Sequence, residues 1–159
     1  MKYRFVWAVV GAALAACGGG GGGSAAPEPD ELQPTIESIQ AQVFSPRCAT
    51  SGCHRGVGAQ EGLRLEDAQT SYDNLVDVAS RQAPSLRRVE PGSPDTSYLI
   101  DKLEGTQTSG DRMPQGQASL SADTIAVIRQ WIADGAPPPG STAKRDALFL
   151  PPVELGTSR

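Results

Sequence analysis

Apolar residues recur on a helical period in four stretches of the chain. Ile36, Ile39, Val43 and Phe44 stand at i, i+3, i+7 and i+8, one face of a helix. Pro34 precedes them and suits a first helical turn, where a missing N–H costs nothing. Ser45-Pro46 predicts the end of that helix. A second helix is expected over Glu66 to Val78, with Ala68, Tyr72, Leu75 and Val76 facing inward. Leu86 to Gly92 reads as extended. Ser93-Pro94-Asp95 is expected to cap a third helix that turns Tyr98, Leu99 and Leu103 inward and ends at Gly105. Ser121 caps a fourth, with Ile125, Ile128, Trp131 and Ile132 on one face and Gly135 and Pro137 at its end.

No stretch alternates convincingly as a strand and no internal repeat is visible. The pattern predicts an all-α domain over residues 36–136, about four helices joined by long loops. Two of those loops, residues 47–62 and 105–117, are longer than a compact domain usually carries without a functional reason. Both contain the residues with distinctive chemistry.

The N-terminus follows a different rule. Met1-Lys2-Tyr3-Arg4 is a short positive segment, and Phe5 to Ala16 is an apolar run of twelve residues, too short to span a bilayer but suited to a signal peptide. It ends Leu14-Ala15-Ala16-Cys17, which resembles the bacterial lipobox. That resemblance implies a lipoprotein signal over residues 1–17, with Cys17 becoming the lipidated N-terminus. Two or three acyl chains make a stable membrane anchor, since each buried CH₂ contributes about 0.8 kcal/mol. Residues 18–35, opening with six glycines, read as a flexible Gly/Pro-rich linker, and residues 137–159 as a Pro-rich C-terminal tail. The expected location is the cell envelope of a bacterium, on the periplasmic or outer-membrane side.

Charge narrows the partners. The chain has 14 basic and 18 acidic residues; without Lys2 and Arg4 the balance is 12 against 18, a net charge of −6. That argues against nucleic acid or anionic headgroups as ligands of the folded part. Aromatic residues make up only 5% of the chain, so a small core of this kind gains from a large apolar cofactor.

Three cysteines are present. With Cys17 assigned to the lipobox, Cys48 and Cys53 remain, and His54, the one histidine, follows Cys53 directly. The run Cys48-Ala-Thr-Ser-Gly-Cys53-His54 is a C-x4-C-H, two residues longer than the common haem attachment motif. In that motif two thiols add across the haem vinyl groups and the adjacent imidazole is carried to the iron as proximal ligand. The longer spacing requires an outward bulge, for which Thr50, Ser51 and Gly52 are small and turn-forming. A Cys48–Cys53 disulfide is the alternative use of the same thiols in an oxidising compartment. Met113, the one methionine besides the initiator, lies 59 residues beyond His54 in the loop Gly110-Asp-Arg-Met113-Pro114-Gln-Gly116. A lone methionine in a polar loop makes little sense as packing and good sense as a distal iron ligand; His/Met ligation is common in cytochromes c. Lys102, Tyr98 or an open position are the alternatives.

With these residues in place, the chain resembles a single-haem bacterial cytochrome c domain, class I-like, of the type found in lipoproteins and in planctomycete-like and myxobacterial secreted proteins. The matching stretches are Val43-Phe44-Ser-Pro-Arg-Cys48, Cys53-His54, Gly62-Leu63-Arg-Leu65, Val89-Glu-Pro91-Gly92-Ser-Pro94, Ser97-Tyr98-Leu99-Ile100, Arg112-Met113-Pro114 and Ile128-Arg-Gln-Trp131-Ile132-Ala-Asp-Gly135-Ala136. The resemblance implies a cytochrome c-like fold whose first and last helices cross, so that Val43 or Phe44 meets Trp131. It implies one haem c and a role as electron carrier rather than catalyst, with a redox partner that the sequence does not name.

Other chemistries fit less well. Zinc in a structural site wants four ligands, and blue copper wants two histidines; neither set is present. No nucleophile elbow supports a hydrolase. A haem-based sensor or docking module, and a haem-free surface lipoprotein with a Cys48–Cys53 disulfide, remain as alternatives to the electron carrier.

Overall fold

The computed structural model describes residues 31–141. The expected lipoprotein signal with Cys17, most of the expected linker 18–35 and the chain beyond residue 141 lie outside the described residues. Among those described, the protein is all-α, with four α-helices and no strand.

Helix α1 (Ile36–Ile39) starts at Thr35, whose hydroxyl accepts the Ser38 N–H. It runs on directly as a π-helix over Gln40–Cys48. The expected stop at Ser45-Pro46 is therefore corrected: Pro46 lies inside the helix. In an α-helical ladder the proline ring clashes with the carbonyl four residues back. The wider coil closes i−5 bonds instead, as in Ala49 N–H to Phe44 O at 2.7 Å. Ile36, Ile39, Val43 and Phe44 are all buried, as their spacing predicts.

Helix α2 (Ala68–Leu75) is shorter at both ends than expected. The cap is Asp67, whose carboxylate accepts the Thr70 N–H at 2.9 Å and the Thr70 hydroxyl at 2.7 Å. At the other end Val76 is extended and Asp77 turns left-handed. Leu75 is fully buried, while Ala68, Tyr72 and Val76 pack against the margin of the core. Ser71 is fully buried too. Its hydroxyl donates to Gln40 Oε1 at 2.6 Å, and Gln40 Nε2 donates to Leu65 O at 2.9 Å, so this polar cluster is satisfied within the core.

The segment expected to be extended, Leu86 to Gly92, joins only isolated bridges, Val76 to Val89, Ala79 to Arg87 and Arg87 to Ser97, and ends in a turn at Pro91-Gly92, where Gly92 takes φ of 79°. A 3₁₀ turn over Pro94–Thr96 follows, and α3 (Tyr98–Glu104) starts from Ser97 rather than from Ser93. It ends at Gly105 with φ of 83°, the left-handed stop that the glycine predicts. Tyr98, Ile100, Lys102 and Leu103 are buried; Leu99 is only partly so.

Helix α4 (Ala122–Ala133) matches its expectation closely. Ser121 Oγ accepts the Thr124 N–H at 3.1 Å, and Ile125, Ile128, Trp131 and Ile132 are all buried. Full burial of one such aliphatic side chain contributes about 1.5–3 kcal/mol. Val43, Phe44 and Trp131 belong to one core cluster, so the first and last helices share a core. Residues 137–140 stay against the domain: the Trp131 indole N–H donates to Pro137 O at 3.1 Å, and Gly140 N–H to Glu37 Oε1 at 2.5 Å. No helix among the described residues is long and apolar enough to cross a membrane.

Candidate functional site

The π-helix delivers Cys48 at its last residue, and the following loop folds back on itself. Cys53 N–H donates to Thr50 O at 3.1 Å and His54 N–H to Cys48 O at 3.2 Å. Ser51 and Gly52 sit exposed at the tip of this turn, and Gly52 takes φ of 80°, a conformation that suits glycine. The two extra residues of the C-x4-C-H thus form an outward turn, while Cys48 and Cys53 both face the same cleft. Both are free thiols. Burial pushes the Cys48 thiol up to about 11, although the neighbouring Arg47 charge acts the other way.

His54 is held by the chain that follows it. Leu65 N–H donates to His54 O at 2.9 Å, and His54 Nδ1 lies 3.2 Å from Leu63 O. A carbonyl oxygen only accepts, so in the neutral ring the proton sits on Nδ1 and the Nε2 lone pair is left for a metal. Burial lowers the His54 pKa from its ordinary value, favouring the neutral ring.

Met113 comes from the other long loop. Its N–H donates to Lys102 O at 2.8 Å. Tyr98 OH donates to Ser109 O at 2.6 Å, and Lys102 Nζ to Gln82 Oε1 at 2.7 Å and Ser109 O at 3.3 Å. Lys102 and Tyr98, the alternative distal ligands, are thus occupied in holding this loop. Gly110 takes φ of 68°, a conformation that suits glycine, and a Cβ there would lie 2.6 Å from both Gln82 Oε1 and Lys102 Nζ, whose side-chain ends would have to shift. The two loops are tied together by Arg47, which donates to Gln117 Oε1 at 2.9 Å and Ala118 O at 2.6 Å. Gln117 Nε2 returns a bond to Arg47 O at 3.2 Å.

Cys48, Cys53, His54 and Met113 all line one cleft of about 310 Å³. That is at the low end of the roughly 300–1,000 Å³ typical of small-molecule and cofactor sites. Phe44, Leu65, Leu75 and Leu103 supply apolar wall. Among the described residues no three His, Cys, Asp or Glu side chains group as a metal cage. The two thiols and the imidazole therefore do not converge as zinc ligands would. Thioether attachment asks for no such convergence, because the thiols bind the rim of a macrocycle and not its metal. The donor set suits a covalently held haem: two thiols, an imidazole with its second nitrogen engaged, a thioether from a separate loop and an apolar wall.

All four sequence-predicted cofactor residues are brought to this cleft; Cys17 lies outside the described residues. Sequence reasoning missed Arg88 and Arg81, which also line it. Nothing local distinguished them from surface arginines. The chain matches no family model, no curated protein and no solved structure.

Proposed function

We propose that the chain is a c-type cytochrome domain on a lipid-anchored envelope protein, an electron carrier with one haem c. The supporting observation is that Cys48, Cys53 and His54 from one loop and Met113 from another, 59 residues beyond His54, line a single cleft. In this reading Cys48 and Cys53 provide the thioether links, His54 Nε2 the proximal ligand and Met113 the distal one. Haem, when bound, supplies the one-electron chemistry; the protein supplies attachment, ligands and burial.

The residues have distinct tasks. Leu63 O keeps the His54 proton on Nδ1. Arg47 and Gln117 hold the thiol loop and the methionine loop in register. Tyr98 and Lys102 tether the methionine loop through Ser109. The apolar wall excludes water, and His/Met ligation favours a relatively high reduction potential. Cys17 anchors the chain by lipid, and the glycine-rich linker lets the domain reach a redox partner above the membrane.

A haem stain of denatured membrane fractions tests the whole reading. A stained band of the mature protein should fractionate with membranes, and Cys17→Ser should abolish that fractionation or leave uncleaved precursor. An unstained protein contradicts the cytochrome; a Cys17→Ser variant that is processed and fractionates like the wild type contradicts the anchor.

A further inference from the structure

We propose that Arg88, with Arg81 beside it, receives a propionate carboxylate of the haem; this rests on the cytochrome reading above. The described ion pairs use Arg64, Arg87 and Arg129, none of which lines the cleft. The cations that do line it, Arg47, Arg81, Arg88 and Lys102, have no carboxylate within ion-pair distance among the described residues. Yet the chain carries more acidic than basic residues. Every ion-paired cation among the described residues therefore sits outside the cleft, and none of the four cations lining it has such a partner.

Arg88 is the most telling of these. It is only 8% exposed. Its guanidinium donates to Asn74 O and to Glu61 O, both at 2.8 Å, and these two bonds fix its plane. A guanidinium has five N–H donors, so further donors remain. Burial lowers its pKa and the like charge of Arg81 adds to the effect, while the exposed Glu61 carboxylate acts the other way without pairing with it. A buried cation beside a second cation is costly without a counter-charge. Glu61 and Asp111, the two carboxylates lining the cleft, are both exposed.

The chemistry of the cofactor supplies the missing anion. Attachment through two vinyl groups commits one part of the porphyrin rim to Cys48 and Cys53, and the two propionates project from the remaining part. Their carboxylates are carried into the cleft by the same molecule that the thiols bind. A preoriented guanidinium makes short, charge-assisted bonds to such a group.

The test is the reduction potential of the haem-loaded protein between pH 5 and pH 8, in the wild type, Arg88→Gln, Arg88→Lys and Arg81→Gln. With Arg88 in place the propionate stays ionised in both redox states, and the potential is flat. Arg88→Gln raises the propionate pKa into this window. The ferric haem carries one more positive charge than the ferrous, so its propionate is the more acidic. The potential then falls as pH rises, approaching a tenfold change in the redox equilibrium per pH unit, about 59 mV. Arg88→Lys restores a flatter profile. Arg81→Gln gives a weaker slope and carries the test should Arg88→Gln fail to fold. A merely structural Arg88 leaves haem-loaded variants superimposed on the wild type, and that result overturns the assignment. A sloping wild-type profile overturns it equally. A wild-type protein with no covalent haem overturns the cytochrome reading, and this one with it.

Discussion

His54 Nδ1 lies 3.2 Å from the carbonyl oxygen of Leu63. In the neutral ring the contact places the proton on Nδ1 and leaves the lone pair on Nε2. It exists before any cofactor binds, because both partners belong to the polypeptide. In the haem-free domain near neutral pH, ¹⁵N spectra of the imidazole should show a protonated Nδ1 and a bare Nε2. A dominant Nε2–H tautomer would contradict the arrangement.

Gln40 joins Ser71 to Leu65 within the core, and Leu65 in turn bonds the backbone of His54. Gln40→Leu leaves the Leu65 carbonyl and the Ser71 hydroxyl without this partner. Denaturant unfolding should show a loss of about 1–3 kcal/mol. Adding Ser71→Ala should recover part of that loss, since one buried polar group is then removed. A double variant less stable than Gln40→Leu alone speaks against the link.

Much of the fold was legible in the chain, for identifiable reasons. The apolar face of α4 was readable because Ile125, Ile128, Trp131 and Ile132 follow the helical period and a serine marks the start. The first helix ran past its expected end because the rule against interior proline assumes an i−4 ladder, and this segment uses i−5 bonds around Pro46. Ser71 and Gln40 were invisible to hydropathy: their burial is matched by bonds to each other and to Leu65 O. In the site, His54, the one histidine, and Met113, the one methionine besides the initiator, stood out inside long loops. Arg88 did not, because its burial comes from contacts with Asn74 and Glu61, distant in sequence.

Asp67 caps α2, and hydrogen bonds from the Thr70 N–H and hydroxyl hold its carboxyl below the usual range. The folded-state pKa is thus below the unfolded value. The cap's contribution is complete above the ordinary carboxylate range and is lost as pH falls through the lowered folded value. Asp67→Ala should cost about 1 kcal/mol at neutral pH. Asp67→Asn should keep most of the cap while removing its share of the acid sensitivity. Thermal melts of the three proteins across acidic pH check this; an Asn variant as acid-sensitive as the wild type would be against it.

Met113→Ala should keep its covalent haem, since His54 and both thiols are untouched. It should lose the weak long-wavelength sulfur-to-iron band of the ferric state and bind carbon monoxide when reduced. Its reduction potential should fall, because a thioether favours reduced iron. A wild type that already binds carbon monoxide, with an unchanged mutant spectrum, would move the haem-sensor reading ahead of the electron carrier.

The most direct measurement is the intact mass of the protein expressed with a haem maturation system. The account predicts a polypeptide carrying one haem, retained under denaturation and lost when Cys48 and Cys53 are both replaced by serine. An apo-protein mass two hydrogens below the fully reduced chain, with Cys48 and Cys53 joined to each other, would contradict it.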